Sequence, residues 1–179
     1  MRDDIIQLLR RLNLEFYQTF ASSFAETRAR LQPGVSQTLV DVATSDTILD
    51  LGCGNGGIAR HLAQAGHQGE YYGLDSSPAL IEIARENCPH PRAQFFVADL
   101  ADTAWQQLVP DSFSQVFAFA VLHHIPGEEL RIQLLSQILD ILSADGSFTL
   151  SNWNFPESER LLKRVLPWST IGIDESDVN

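Results

Sequence analysis

Basic side chains are scarce in this sequence: 12 lysines and arginines stand against 23 aspartates and glutamates in 179 residues, a formal net charge of −11. Nucleic-acid binding draws most of its affinity from cations that neutralise phosphates, so a polynucleotide spread over the whole surface would meet repulsion. Only Arg28, Arg30 and the Arg160, Lys163, Arg164 group offer local basic patches, and solvated helix faces account for them as well. Cysteine is nearly absent. Cys53 and Cys88 belong to no Cys-x-x-Cys or Cys/His cluster, which excludes a disulfide framework and predicts free thiols and no metal site. Long apolar runs are missing too. The longest, Val116 to Leu122, falls far below a bilayer span, and the Met1-Arg2-Asp3-Asp4 start lacks a signal peptide's layout, so a cytoplasmic protein with no membrane association is expected. No repeat or low-complexity tract appears. A hydrophobic content of 44% does suffice for one substantial core.

Residues 47 to 57, Thr-Ile-Leu-Asp-Leu-Gly-Cys-Gly-Asn-Gly-Gly, carry the most information. An apolar strand ends in an acid, Asp50, and runs into glycines that open a helix. Glycine is required where backbone takes positive φ or must approach a ligand with no Cβ in the way. The G-x-G-x-x-G spacing of Gly52, Gly54 and Gly57 also occurs in dinucleotide-binding domains, so its flanks decide. Asp75 follows a second apolar run, Tyr71-Tyr72-Gly73-Leu74, where an acid at a strand end can bind both hydroxyls of a ribose. A third run, Gln94 to Ala98, ends in Asp99, and a fourth, Gln115 to Leu122, ends at His123-His124. Acids therefore close three successive strands, pointing to a nucleotide-like ligand.

The pattern along the chain alternates between periods. Ile5, Leu8, Leu9 and Leu12 give an amphipathic first helix, expected to pack over a sheet. A second helical stretch runs from Leu14 to Leu31, with Phe16, Phe20 and Phe24 on a repeat of four, and Pro33-Gly34 ends it. A short helix over 35–43 leads to strands at 47–51, 70–74, 93–98, 115–121 and 147–153, interleaved with helices at 57–65, 78–87 and 128–142. Asp145-Gly146 supplies the turn into the last strand. Such alternation predicts an α/β fold, a doubly wound, Rossmann-like, mostly parallel sheet flanked by helices, preceded by a helical lead-in. The expected division is a lead-in over 1–45, a core over 46–155, and a C-terminal helix (157–166) with polar tail over 156–179.

The segments ILDLGCGNGG, YYGLDSSPALIEIA, FFVADLAD and VFAFAVLHHI occur in the order seen in class I S-adenosylmethionine (SAM)-dependent methyltransferases, which the chain resembles over roughly 46–153. Asp50, just before the glycines, suits the cationic methionine end of SAM better than a pyrophosphate. The resemblance implies SAM as cofactor and S-adenosylhomocysteine as product, bound across the C-terminal ends of the first four strands. Asp50, Gly52 and Gly54 would line the methionine moiety, Asp75 the ribose, and Asp99 with Leu100 the adenine edge, with Asn55 and Ala120 as further cofactor-binding residues. Ser76 adds an adenine-side contact or caps the helix that starts at Pro78; Asp102 reads as an ordinary cap, and Cys53 as a small filler in the turn. His123 and His124 follow the fourth strand, where either could orient or deprotonate a substrate or cap the next helix, with His123 the candidate. The family's usual seven-stranded sheet ends in an antiparallel hairpin with no counterpart after Trp153. A truncated sequence is the expectation, with the fifth strand left as an edge for a partner subunit or a second copy to cover.

The lead-in LNLEFYQTFASSFAETRARLQPGV is similar to that of tRNA wobble-uridine methyltransferases that esterify a 5-carboxymethyl group, with Tyr17, Ala21, Phe24, Thr27 and Arg28 matching in order. That similarity adds Tyr17 and Arg28 as cofactor-closing residues, Arg28 through a bidentate contact with the SAM carboxylate. The function implied is methyl transfer to an oxygen, carboxylate or hydroxyl, of a tRNA wobble carboxymethyluridine or a small molecule. A non-catalytic SAM-fold subunit is the alternative. The Asn/Asp-Pro-Pro-Tyr/Phe segment of amino-methylating DNA enzymes is replaced by Ala118-Phe119-Ala120-Val121, which argues against base amines.

Overall fold

The computed structural model describes residues 1–27, 30–154 and 157–178. Five parallel strands, β1 (Ile48–Leu51), β2 (Tyr71–Asp75), β3 (Ala93–Val97), β4 (Phe113–Phe119) and β5 (Leu142–Ser151), form a sheet of order β3-β2-β1-β4-β5. The order reverses between β1 and β4, and at such a switch point the crossovers diverge and leave a crevice at the C-terminal rim. The doubly wound reading holds.

Strand parity sorts the core into two faces. Leu49, Leu51, Tyr72, Leu74, Val116 and Ala118 pack with Leu134 and Ile138 of α6 (Glu128–Ile141) on one side. Ile48, Tyr71, Phe95 and Phe117 pack on the other with Ile58 and Leu62 of α4 (Gly57–Gln64) and Ile81 and Ala84 of α5 (Pro78–Asn87). Both faces being covered, β1 is buried at every position, as an apolar central strand of a parallel sheet must be. Trp105 Nε1 donates to Gln137 Oε1 at 3.1 Å, tying the turn after β3 to α6.

Three expectations are corrected. The lead-in is one long helix, α1 (Asp3–Thr19), broken at Phe20 before α2 (Ala21–Thr27), and Pro33 opens α3 (Pro33–Thr38) rather than only ending a helix. Proline fits a first helical turn because its missing N–H has no partner there anyway. Second, α1 lies against α2 and α5 and roofs the sheet's C-terminal rim instead of packing over a sheet face. Third, β5 starts at Leu142, and Asp145-Gly146 falls in a bulge: pairing jumps from Phe113↔Leu142 to Gln115↔Ser147. The bulge is tight, because a Cβ on Gly146 would sit 2.9 Å from the Phe113 carbonyl oxygen.

Among the described residues β5 pairs with β4 alone, and Leu150 and the nearby Trp153 are exposed. The C-terminal helix is shorter than its pattern suggests, α7 (Glu159–Leu162). Asp177 near the chain's end reaches back to Arg2 at 3.0 Å. No described helix is long and apolar enough to cross a membrane.

Candidate functional site

A cavity of about 500 Å³ opens at the switch point, within the range of small-ligand sites. Its floor is the strand rim. Gly52 and Gly54 take left-handed backbone, with φ of 72° and 54°. The Gly52 and Cys53 amides donate to the Leu74 carbonyl at 2.7 and 2.9 Å, which pins the turn to the end of β2. A Cβ on Gly52 would meet Val121 Cγ2 at 2.4 Å, so the floor is tight because side chains are missing where backbone approaches.

Asp75 ends β2 and lines the cavity. Its Oδ2 accepts from the Gly54 amide at 3.0 Å and its Oδ1 from the Ser77 amide at 2.9 Å. Burial pushes its pKa up, and those two amide bonds oppose the shift. A carboxylate has about four acceptor positions, so roughly two remain, enough for a vicinal diol. Ser76 also lines the cavity, and Ser77 is the residue that caps α5, its Oγ accepting from the Leu80 amide at 3.4 Å.

Asp99, after β3, accepts from the Ala101 amide at 2.9 Å through Oδ1, while Oδ2 takes Arg10 Nε at 2.9 Å and Nη2 at 2.7 Å. Leu100 lines the wall beside it. Asp102 accepts from the Ala104 amide at 3.0 Å, an Asx turn one residue ahead of the N-cap position, Thr103, of the 3-10 helix Ala104–Leu108. Ala120 lines the opposite wall at φ 58°, a left-handed conformation that costs a non-glycine residue about 1–2 kcal/mol. Its amide is held by the Ser151 carbonyl at 2.8 Å. Backbone outliers of this kind gather at functional rims.

Two residues expected at the ligand stand elsewhere. Asp50 shares its parity with Ile48, so its side chain enters the buried face and accepts a hydrogen bond from the Tyr71 hydroxyl, outside the cavity lining. Burial drives its pKa to about 7 despite that bond. Asn55 is also buried and outside the lining; its Nδ2 donates to the Ala25 carbonyl at 3.2 Å, fastening α2 to the glycine turn. Cys53 is buried and its thiol pKa is pushed well up, as befits a filler. Arg28 lies outside the described residues.

The histidines exchange parts. His123 faces a second depression with Glu128 and Arg131, its ring 5.5 Å from that of Trp153, whereas His124 lines the cavity. Both sit in a 3-10 turn, Leu122–His124, where successive side chains are about 120° apart, so neighbours cannot share a direction. His124 Nε2 is 2.9 Å from the Tyr17 hydroxyl, and burial lowers its pKa to about 4.

The roof is helical. Gln7, Arg10, Asn13, Leu14 and Tyr17 of α1 and Phe24 of α2 line the cavity from above. Asn13 Nδ2 donates to the His124 carbonyl at 3.1 Å. Sequence reasoning singles out Tyr17 but passes over Gln7, Arg10 and Asn13. The signal available is the stripe Gln7, Arg10, Leu14, Tyr17 at helical spacing, mixed polar and apolar, unlike the face carrying Ile5, Leu8, Leu9 and Leu12.

A family model described as a methyltransferase domain matches residues 48–146, more than half of the chain. The chain belongs to the SAM-dependent methyltransferases. Similar proteins include the tRNA (carboxymethyluridine(34)-5-O)-methyltransferase of Xenopus tropicalis, 27% identical over 76% of this chain and 20% of that one. The trans-aconitate 2-methyltransferase of Escherichia coli O157:H7 is 31% identical over 81% of this chain and 54% of its own length. The chain thus spans between about a fifth and about half of these relatives. A methyltransferase of Haloferax volcanii, solved in complex with the Trm112 methyltransferase activator, superposes with a TM-score of 0.65 at 23% identity, covering 83% of this chain and 66% of that one, and shares the fold.

The residues present fit the methyltransferase cofactor on this structure's own terms. A cradle that a Cβ would fill, a carboxylate with two spare acceptor positions, and a cavity of adequate volume converge at one rim.

Proposed function

We propose that this methyltransferase esterifies a carboxylate, on a small polycarboxylic acid or on a carboxymethyl group of a tRNA wobble uridine. Gly52, Gly54, Asp75, Ser76, Asp99, Leu100 and Ala120 would hold SAM, with Tyr17 closing over it. When bound, SAM supplies an electrophilic methyl group on a sulfonium.

The observation that carries the reading is His124. Burial keeps its imidazole neutral down to about pH 4, too weak a base to remove a hydroxyl or amine proton efficiently. A carboxylate needs no such help, because it is already ionised and nucleophilic at neutral pH. What the chain must supply is alignment and exclusion of water. Tyr17 and Asn13 hold His124 from the roof side, so the imidazole can orient an acceptor oxygen by donating a hydrogen bond. The names of both curated relatives carry a carboxylate-bearing acceptor, which supports the same chemistry. The Haloferax methyltransferase was solved with an activator subunit, which supports a partner for this chain too; the β5 edge, which pairs with β4 alone among the described residues, is where we place it.

The test is transfer of labelled methyl from SAM to total tRNA and, separately, to trans-aconitate and related acids. Label that mild alkali releases as methanol is expected in one arm. Label that survives alkali would sink the ester assignment, and the labelled arm separates the two acceptor classes.

A further inference from the structure

The roof has few apolar anchors: among the described residues of α1 and α2 only Ile5 and Ala21 are buried. Neither apolar cluster includes a residue before Leu31 among the described residues. Side-chain tethers do most of the holding at the cavity: Arg10 to Asp99, Asn13 and Tyr17 to His124, and Asn55 to the Ala25 carbonyl, while the exposed Arg2–Asp177 pair ties the start of α1 to the C-terminal tail, away from the cavity lining. A segment with few apolar anchors opens at lower free energy than the sheet beneath it. The floor cannot yield in the same way, since its turn is pinned to β2 by backbone bonds and packed against Val121.

The tethers differ in kind. Those at His124 and Ala25 are hydrogen bonds between neutral groups, whereas Arg10 places Nε and Nη2 on one oxygen of Asp99 in a half-buried ion pair. It grips the end of the cavity opposite His124, seven residues before Tyr17 along α1, about 10 Å at helical rise. We propose that α1 and α2 form a lid over the cavity and that the Arg10–Asp99 ion pair is its latch, so that breaking this pair governs how fast a nucleoside ligand leaves. Arg10 is here a positioning residue, and the proposal rests on the reading that the cavity takes SAM.

The test uses the full chain, S-adenosylhomocysteine as probe, and Arg10→Ala and Arg10→Lys. Stopped-flow dissociation is expected to quicken roughly five- to tenfold in Arg10→Ala and less in Arg10→Lys, which keeps the charge but loses the fork. Raising salt should speed release from the parent chain and leave Arg10→Ala unmoved, because a half-exposed ion pair is screened. Hydrogen exchange of residues 3–27, measured without ligand, should quicken in Arg10→Ala while the five strands keep their protection. Unchanged dissociation would overturn the latch. So would faster dissociation with unaltered exchange of the roof, which would make Arg10 only a ligand contact. Failure of the parent chain to bind S-adenosylhomocysteine would sink the cofactor reading instead, and the exchange arm would still judge the latch.

Discussion

The floor and the roof of the cavity are built on opposite principles. The floor is backbone: two left-handed glycines, amides bonded to Leu74, and a carboxylate bridging Gly54 and Ser77, all continuous with the buried sheet. The roof is side chains on exposed helices, and in α1 only Ile5 is buried. A site of this kind keeps its recognition geometry on the stiff half and its entry route on the half that costs least to open. Substitutions in the two halves should therefore separate into those that damage fold and binding together and those that spare the fold.

The largest effect is expected at Gly52. Gly52→Ala adds a Cβ at 2.4 Å from Val121 Cγ2 on a backbone with φ of 72°, so overpacking and left-handed strain combine to about 3 kcal/mol or more of destabilisation. Urea denaturation would measure it, and SAM binding should vanish with it. Stability within about 1 kcal/mol of the parent would show that the floor is softer than its packing indicates.

Asp75→Ala comes next, weakening SAM binding by about 2 kcal/mol, near thirtyfold, through lost charge-assisted bonds to the ribose. Calorimetric titration decides it, and unchanged affinity would remove Asp75 from the site.

Asp50→Asn tests the placement of Asp50 on the buried face beside Tyr71. The folded pKa of Asp50, about 7, lies above its ordinary 3.8, so the folded chain holds a proton the unfolded chain has lost between those values. Stability from this group is full below pH 3.8, falls as pH rises, and is gone above 7. Asparagine keeps a neutral acceptor for Tyr71 at every pH, so the variant should gain about 1–2 kcal/mol over the parent at pH 8 and little at pH 5, with SAM affinity unaltered. His67 and His90, bonded to each other at 2.9 Å in the buried entry to β2 and β3, pull the other way. Burial lowers both their pKa values, so they favour the folded chain above 6.5 and weaken it as pH falls below that. Asp50→Asn isolates the first contribution by comparison with the parent at each pH. A parent and variant with parallel stability profiles would refute it.

The smallest effect on the fold belongs to the roof. Tyr17→Phe removes one neutral hydrogen bond to His124, costing under about 1 kcal/mol of stability, while methyl transfer falls several-fold as the imidazole loses its orientation. A melting temperature that drops with the activity would place Tyr17 in the core and erase the contrast between the halves.

Most of the floor is legible in one dimension. Strand ends marked by Asp75 and Asp99, and glycines spaced for a turn, follow from local rules of backbone conformation. Asp50 lies outside the cavity lining, which the pattern does not foretell: it marks where a strand ends but not which face an acid near that end enters, and parity with Ile48 and the proximity of Tyr71 decide that. His123 and His124 are adjacent in sequence, and only the 3-10 turn determines which one meets the cavity. Arg10 belongs to the mixed stripe of α1, but nothing local marks its partner, which lies 89 residues away.

From composition and periodicity came the α/β core and its alternating elements, because each depends on contacts within a strand, a turn or a helical repeat; the motif series pointed to SAM through its resemblance to the class I methyltransferases. Folding in three dimensions decided that α1 would roof the rim, that Asn55 would tie down α2 from outside the cavity lining, and that Asp99 would pair with Arg10 across the cavity wall. Those outcomes join residues far apart in the chain, and their partners are set by how the crossovers stack around the switch point, which no local window contains.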